Sequence, residues 1–182
     1  MAEEEEEQPE PTHKDIAYGP YDRNRLDFWK ADTDSPAPLV VNIHGGGFLM
    51  GEKAAGPVLL KWAAERGIAV AAIAYRFSQD AIAPASFTDT ARAIQFLRHK
   101  AGEWGVDPTR VATIGPSAGA GLGMWTGVGG WGNFLTTART GVMVVIMVGG
   151  PRIVIPVVGR GGDGMGLVGS GRRRERGRRR VG

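Results

Sequence analysis

Between Asp22 and Trp125 the chain alternates short apolar runs with longer stretches whose apolar residues recur on a helical period, and few folds accommodate that order. Pro38-Leu39-Val40-Val41-Asn42-Ile43 is the first run; it stops at three glycines, as a buried strand feeding a tight loop would. Val58 to Arg66 places Leu59, Leu60, Trp62 and Ala63 on a roughly helical period and ends at Gly67, where a helix C-cap is expected. Ile68 to Tyr75 reads as a second apolar strand. Thr88 to Trp104 is the strongest helical pattern, with Ala91, Ile94, Leu97, Ala101 and Trp104 on one face and Arg92, Gln95, His99 and Lys100 largely elsewhere. Asp107-Pro108 makes a turn, Val111 to Ile114 is a third strand, and Gly115 to Gly119 leads into a small-residue helix running to about Trp125. Strand, helix, strand, helix, strand, helix predicts an α/β fold: a mainly parallel sheet covered by helices on both faces, since each parallel pair needs a crossover connection. Tyr18 to Lys30, with Leu26, Phe28 and Trp29, suits an antiparallel edge strand.

Charge and glycine divide the chain at Ser117. The net charge of +3 combines 12 basic and 17 acidic residues up to Ser117 with 10 basic and 2 acidic after it. Of 29 glycines, 19 follow Ser117, whereas all three histidines, His13, His44 and His99, precede it. With no cysteine, a disulfide framework, a thiolate metal site and a cysteine nucleophile are all excluded. Residues 1–14 open with Met1-Ala2, five consecutive glutamates, Pro9, Glu10 and Pro11, and are expected to be a disordered acidic lead-in. That composition is the opposite of a signal peptide, which makes the cytoplasm the default expectation. No run of about 18 apolar residues occurs up to position 125, so no transmembrane segment is expected there. Val142 to Val158 comes nearest, but Gly149, Gly150, Pro151, Arg152 and Pro156 interrupt it, and it reads as a pair of buried or aggregation-prone strands.

Two motifs fall at strand ends. Gly115-Pro116-Ser117-Ala118-Gly119 fits G-x-S-x-G, in which a serine occupies a strained turn between strand and helix and the glycines avoid collision with neighbouring elements. His44-Gly45-Gly46-Gly47-Phe48 is a glycine-rich loop of the kind whose N–H groups face a developing oxyanion. Each alone is a common turn; in this order, each after a strand, they predict acyl-transfer chemistry.

From Tyr18 to Trp125, about 60% of the chain, the sequence resembles the α/β-hydrolase superfamily, specifically esterases and lipases of the hormone-sensitive-lipase type and the feruloyl-esterase-like group with a His-Gly-Gly-Gly loop. Tyr75-Arg76 after a strand, and Pro84 leading to Asp89 at a helix start, belong to the same likeness. The resemblance implies that Ser117 is the nucleophile and that the N–H groups of Gly45, Gly46 and Ala118 form the oxyanion hole, on a small-molecule ester substrate with no cofactor. His44, Gly47, Gly115 and Gly119 support that arrangement. His44 would orient the loop rather than act as base, and Asp89 would be a structural partner of the loops. Pro116 departs from the family, which usually has Gly, Asp or Glu there, and puts the geometry at Ser117 in question because proline fixes φ and removes a donor.

A hydroxyl needs a base, and in this fold the acid and histidine follow the serine. No histidine follows Ser117, and only Asp163 and Glu175 remain as acids, so the triad acid and histidine are expected to be absent and the chain to be nearly inactive. His13 lies in the lead-in, and His99 is expected on a solvated surface. Residues 15–125 then form a partial α/β-hydrolase domain, incomplete on its C-terminal side. Residues 126–182 hold 16 Gly, 10 Arg and 10 Val in 57 positions, a mixture that GC-rich DNA yields out of frame, and are expected to be non-native or disordered. The run Arg172 to Arg180 would attract phosphate, but no aromatic residue interrupts it, so specific nucleic-acid binding is not expected. Gly127-x-Gly129-x-x-Gly132 and Gly164-x-Gly166-x-x-Gly169 match a dinucleotide fingerprint without following a strand and are rejected. The rival readings are a non-catalytic module with a basic tail and a non-functional fragment. No metal site is expected, and none of these features bears on oligomeric state.

Overall fold

The computed structural model describes residues 9–127, 142–147 and 153–154, the last two segments by backbone alone. One sheet has the strand order β1-β2-β4-β3-β5-β6-β7. Its strands are β1 His13–Ala17, β2 Arg25–Trp29, β3 Ala37–Ile43, β4 Ala69–Ile73, β5 Val106–Gly115, β6 Val142–Met147 and β7 Ile153–Val154. The central four, β4-β3-β5-β6, are parallel, while β1, β2 and β7 run antiparallel to their neighbours. This is the α/β-hydrolase fold in its N-terminal part.

Sequence pattern explains the layers. β4 is Ala69-Val70-Ala71-Ala72-Ile73, buried at every position. Val70 and Ala72 meet Leu60 and Ala63 of α1 (Pro57–Ala64) on one face. Ala69, Ala71 and Ile73 join Leu39, Val41 and Ile43 of β3 in the larger core on the other face. Burying each of the Leu, Val and Ile side chains among these stabilises by about 1.5–3 kcal/mol. α2 (Ala85–His99) presents Ala91, Ala93, Ile94 and Leu97 to the sheet, and α4 (Ala118–Gly127) presents Leu122. The helices thus cover both faces, as the alternating sequence requires.

Several boundaries move. The strand expected within Tyr18–Lys30 is antiparallel but not an edge, because β1 pairs outside it, His13 opposite Phe28. The lead-in boundary at residue 14 is correspondingly too late: Trp29 Nε1 donates to the Pro9 carbonyl at 2.7 Å, and the Lys30 N–H donates to Thr12 Oγ1 at 3.0 Å, which ties residues 9–14 to β2. The five glutamates lie outside the described residues. The Thr88–Trp104 helix starts earlier, at Ala85, and breaks at Lys100 (ψ −3°) before α3 (Ala101–Trp104). That break leaves Ala101 and Trp104 buried on the predicted face, with the Trp104 ring against Phe28 at 4.7 Å and His13 at 4.5 Å. Asp107-Pro108 turns inside β5 rather than before it: Ala37 pairs with Val106 and Leu39 with Val111, so residues 107–110 bulge out, stapled by the Asp107 carboxylate to the Thr109 N–H and Arg110. Donors from Thr109 and Arg110 hold that carboxyl down at about 2. Trp62 is exposed at 39%, with Arg66 over its ring, and is not part of a core.

The pair of strands expected within Val142–Val158 is present, and β6 pairs parallel to β5, Thr113 opposite Val144. A domain boundary at residue 125 therefore falls short of the sheet. The arginine run, Asp163 and Glu175 lie outside the described residues.

The sheet's order places the site. After β3 the chain crosses to β4 on one side, and after β4 it returns to β5 on the other, so the loops leaving the carboxyl ends of β3 and β5 diverge and leave a crevice between them. Beside that crevice, Asp89 takes the Arg76 guanidinium through two oxygens at 2.8 and 2.9 Å and also accepts the Arg76 N–H at 3.0 Å, all but buried. This is the structural partnership expected of Asp89. Asp89→Ala should cost about 3–5 kcal/mol in urea unfolding because it strands a desolvated guanidinium, whereas Glu65→Ala, which breaks the exposed Arg66–Glu65 pair, should cost under about 1 kcal/mol.

Candidate active site

β5 ends at Gly115 and α4 begins at Ala118, leaving Pro116-Ser117 as the turn between them. Ser117 has φ 49°, a left-handed value that a residue with a side chain holds only when its surroundings impose it. Two contacts impose it. The Gly119 N–H donates to the Pro116 carbonyl at 2.9 Å and the Gly121 N–H to the Ser117 carbonyl at 3.1 Å, closing the turn from inside the helix. The end of β3 presses from outside: a Cβ on Gly115 would lie 2.1 Å from the Ile43 carbonyl oxygen, and one on Gly119 would lie 2.0 Å from it and 2.8 Å from that of His44. Pro116 is accommodated, with its carbonyl and ring against Gly45, and the turn keeps its strained form. Ser117 is exposed at the tip. Ala118 opens the helix, so its N–H has no carbonyl one turn back to accept it.

The loop after β3 folds tightly over this turn. The Leu49 and Met50 N–H groups donate to the Gly46 carbonyl at 3.0 and 3.2 Å. Gly46 has φ +107°, with the Met50 carbonyl oxygen 2.0 Å from where a Cβ would sit, so only glycine fits. Phe48 also holds a positive φ of 64°, braced by stacking on Phe87 at 5.9 Å, which in turn meets Trp125 at 5.3 Å. The Ser78 N–H donates to the Phe48 carbonyl at 2.8 Å.

His44 lies flat on Tyr75 at 4.3 Å, edge-on to Phe77, with Nδ1 2.7 Å from the Gly45 carbonyl. A carbonyl only accepts, so Nδ1 carries the proton and Nε2, buried and without a partner among the described residues, is the bare nitrogen. Burial lowers the His44 pKa, outweighing the pull of the Gly45 carbonyl. The Tyr75 hydroxyl donates to the His44 carbonyl at 2.9 Å, and burial pushes it up to about 12. Arg23 clamps the same region, donating to the carbonyls of Tyr75 at 2.8 Å and Gly51 at 2.9 Å while lying 3.6 Å over the Phe77 ring. The sequence reading missed Arg23 and the Tyr75 hydroxyl; Asp22-Arg23-Asn24-Arg25 looks like any solvated polar stretch.

Gly115 and Gly119 therefore meet the Ile43 and His44 carbonyls, and Pro116 meets Gly45, which brings the turn of Ser117 and Ala118 beside the loop of Gly46 and Gly47 at the carboxyl ends of adjacent strands. The other histidines stand apart. His13, placed by the sequence in a disordered segment, is in β1, its ring stacked on Trp104 at 4.5 Å, just before β5 begins. His99 is exposed at the end of α2, which leads to the start of β5 and thus to the opposite end of the sheet. Among the described residues no group of three metal-type ligands occurs, and no helix is long and apolar enough to cross a membrane.

A serine on a strained strand-to-helix turn beside a glycine loop, in a mainly parallel sheet, is the arrangement of an α/β-hydrolase. The BD-FAE family model matches residues 26–145, about two thirds of the chain, and the chain belongs to that family. A probable isoprenylcysteine α-carbonyl methylesterase of Oryza sativa is 39% identical over 109 residues, covering 59% of this chain and 26% of the relative. The probable carboxylic ester hydrolase LipM of Mycobacterium tuberculosis is 38% identical over 114 residues, with 59% and 26% covered. Among solved structures, a truncated carbohydrate esterase from gut microbiota has a TM-score of 0.59 at 26% identity, over 64% of this chain and 42% of that one. A bacterial heroin esterase has 0.55 at 34% identity, over 62% and 37%. The chain spans about a quarter of the length of these curated relatives.

Gly119→Ala should destabilise by about 1–3 kcal/mol, because its methyl meets backbone that cannot yield, while Gly121→Ala, where a Cβ meets nothing, should stabilise by about 0.5–1 kcal/mol in the same denaturant titration. The pH response follows from His44: the unfolded chain takes a proton near pH 6.5 and the folded site does not, so stability should fall as pH drops through about 6.5 toward 5. His44→Gln should flatten that part of the profile, read as melting temperature against pH.

Proposed function

We propose that this chain carries the nucleophile and oxyanion-binding part of a serine carboxylic-ester hydrolase. The supporting observation is Ser117 at φ 49°, exposed, in a turn whose Pro116 packs on Gly45 of the glycine loop at the ends of two adjacent parallel strands. In this reading Ser117 Oγ attacks the ester carbonyl carbon, and the N–H groups of Gly45, Gly46 and Ala118 hold the oxygen as it becomes negative. The alcohol leaves with a proton, and water then hydrolyses the acyl-enzyme. Gly45, Gly46 and Gly47 serve this because no side chain keeps substrate from the main chain.

No described residue stands as a base beside Ser117. His44 is held by its own loop, and His13 and His99 stand on other elements, so this reading expects slow turnover by the chain. The Oryza sativa relative named as a probable isoprenylcysteine methylesterase directs the choice of substrate to methyl esters, and the exposed Leu49 and Met50, 55% and 66% accessible on the glycine loop, suit an apolar chain. With an activated acetate ester, the chain should turn over several orders of magnitude below an esterase with a full triad, and Ser117→Ala should abolish the enzymatic part. A rate matching ordinary esterases would overturn the missing-base argument, and a rate indifferent to Ser117→Ala would sink the nucleophile assignment.

A further inference from the structure

α4 is buried along one side and open along the other. On the buried side lie Ala118, Gly119, Leu122, Gly123 and Thr126; a Cβ on Gly119 would meet the Ile43 carbonyl oxygen, and one on Gly123 would lie 2.7 Å from Thr113 Oγ1. On the open side the Gly121 N–H donates to the Ser117 carbonyl at 3.1 Å, which sets Gly121 one helical turn below Ser117. Met124 follows three positions on, on the same face, and is 48% exposed. Between Ser117 and Met124, a Cβ on Gly121 would meet nothing within 4 Å among the described residues beyond the helix's own backbone. The helix surface therefore has a step of bare backbone directly below the exposed serine. A row of half-buried rings flanks it: Trp125 stands edge-on to Phe87 at 5.3 Å, and Phe87 stacks on Phe48 of the glycine loop at 5.9 Å. No side chain of this set is charged, so what it accommodates is apolar.

We propose that Gly121 is a specificity-determining residue: the step it leaves receives the apolar acyl chain of an ester whose carbonyl stands at Ser117, and Met124 and Trp125 close its far end. The proposal rests on the ester-hydrolase reading and names what that site selects. A helical Cα–Cβ bond tilts toward the helix N-terminus, so any side chain at position 121 would grow toward Ser117 and occupy that space. Such a side chain costs the fold nothing, because a Cβ there meets no described neighbour and glycine is a poor helix former. The missing side chain at 121 thus serves a ligand rather than the packing, unlike those at Gly115, Gly119 and Gly123, where a Cβ would collide.

Acylation by p-nitrophenyl octanoate and by p-nitrophenyl acetate, read as adduct mass on the intact chain, measures the selection. The parent chain should favour octanoate by about tenfold, and Gly121→Leu should bring the octanoate-to-acetate ratio to about one or below. Gly121→Ala should fall between, and Met124→Asp should also lower the ratio, while both Gly121 variants melt no lower than the parent. Val58→Asp, on the exposed face of α1, controls for a general surface effect and should leave the ratio as it is. A ratio that Gly121→Leu leaves unaltered, or octanoate and acetate slowed alike, overturns the proposal. Binding of 2-decanone, which needs no nucleophile, is read in the Met124 methyl resonance of Ser117→Ala. A shift that is absent there, or undiminished by adding Gly121→Leu, also overturns it. Adducts that persist in Ser117→Ala overturn instead the ester-hydrolase reading.

Discussion

The carbonyl oxygens of Ile43 and His44 lie where side chains on Gly115 and Gly119 would be. Everything else at the site follows from this approach of the end of β3 to the strand-to-helix turn after β5. It forces two glycines to flank Ser117, holds the serine in a left-handed conformation, and sets the glycine loop directly beside the serine. The approach is possible because β3 and β5 are hydrogen-bonded neighbours in parallel, which brings their carboxyl ends to one edge of the sheet. It is sustained by the core beneath, where Leu39, Val41 and Ile43 are almost wholly buried against α2 and α4.

The strain stored at the tip has counterweights. Ser117 and Phe48 both hold positive φ, each costing about 1–3 kcal/mol. Around them stand an ion pair and three aromatic contacts: Arg76 on Asp89, His44 on Tyr75, Phe48 on Phe87 and Phe87 on Trp125. Their arrangement on α2, on α4 and after β4 braces the glycine loop from the side of the helices.

The fold was readable because its signals are local. β-branched runs and helical periods announce themselves within a few residues; the C-cap of α1 is Glu65 rather than Gly67, whose φ of +60° turns the chain two positions further on. The same locality explains the errors. His13 looked like part of an acidic tail because its partners, Phe28 and Trp104, are distant in sequence. The bulge at Asp107–Arg110 looked like a turn before a strand, since only the register with Ala37 and Leu39 reveals that pairing starts at Val106. β6 was read as half of a strand pair but not as a continuation of the domain, because a glycine, arginine and valine composition carries no record of which strand it lies beside.

By itself the sequence determined the family: Gly-x-Ser-x-Gly and His-Gly-Gly-Gly need particular residue types at particular spacings, and both are written in consecutive letters. Only the tertiary structure decided what His44 does, which tautomer it carries, and that Tyr75 and Arg23 hold the loop. The contacts of Tyr75 and Arg23 cross 28 to 52 positions of chain, to main-chain carbonyls that are not their neighbours in sequence. A hydrogen bond is set by a few tenths of an ångström and by angle, and such distances exist only once the sheet has brought its strand ends together.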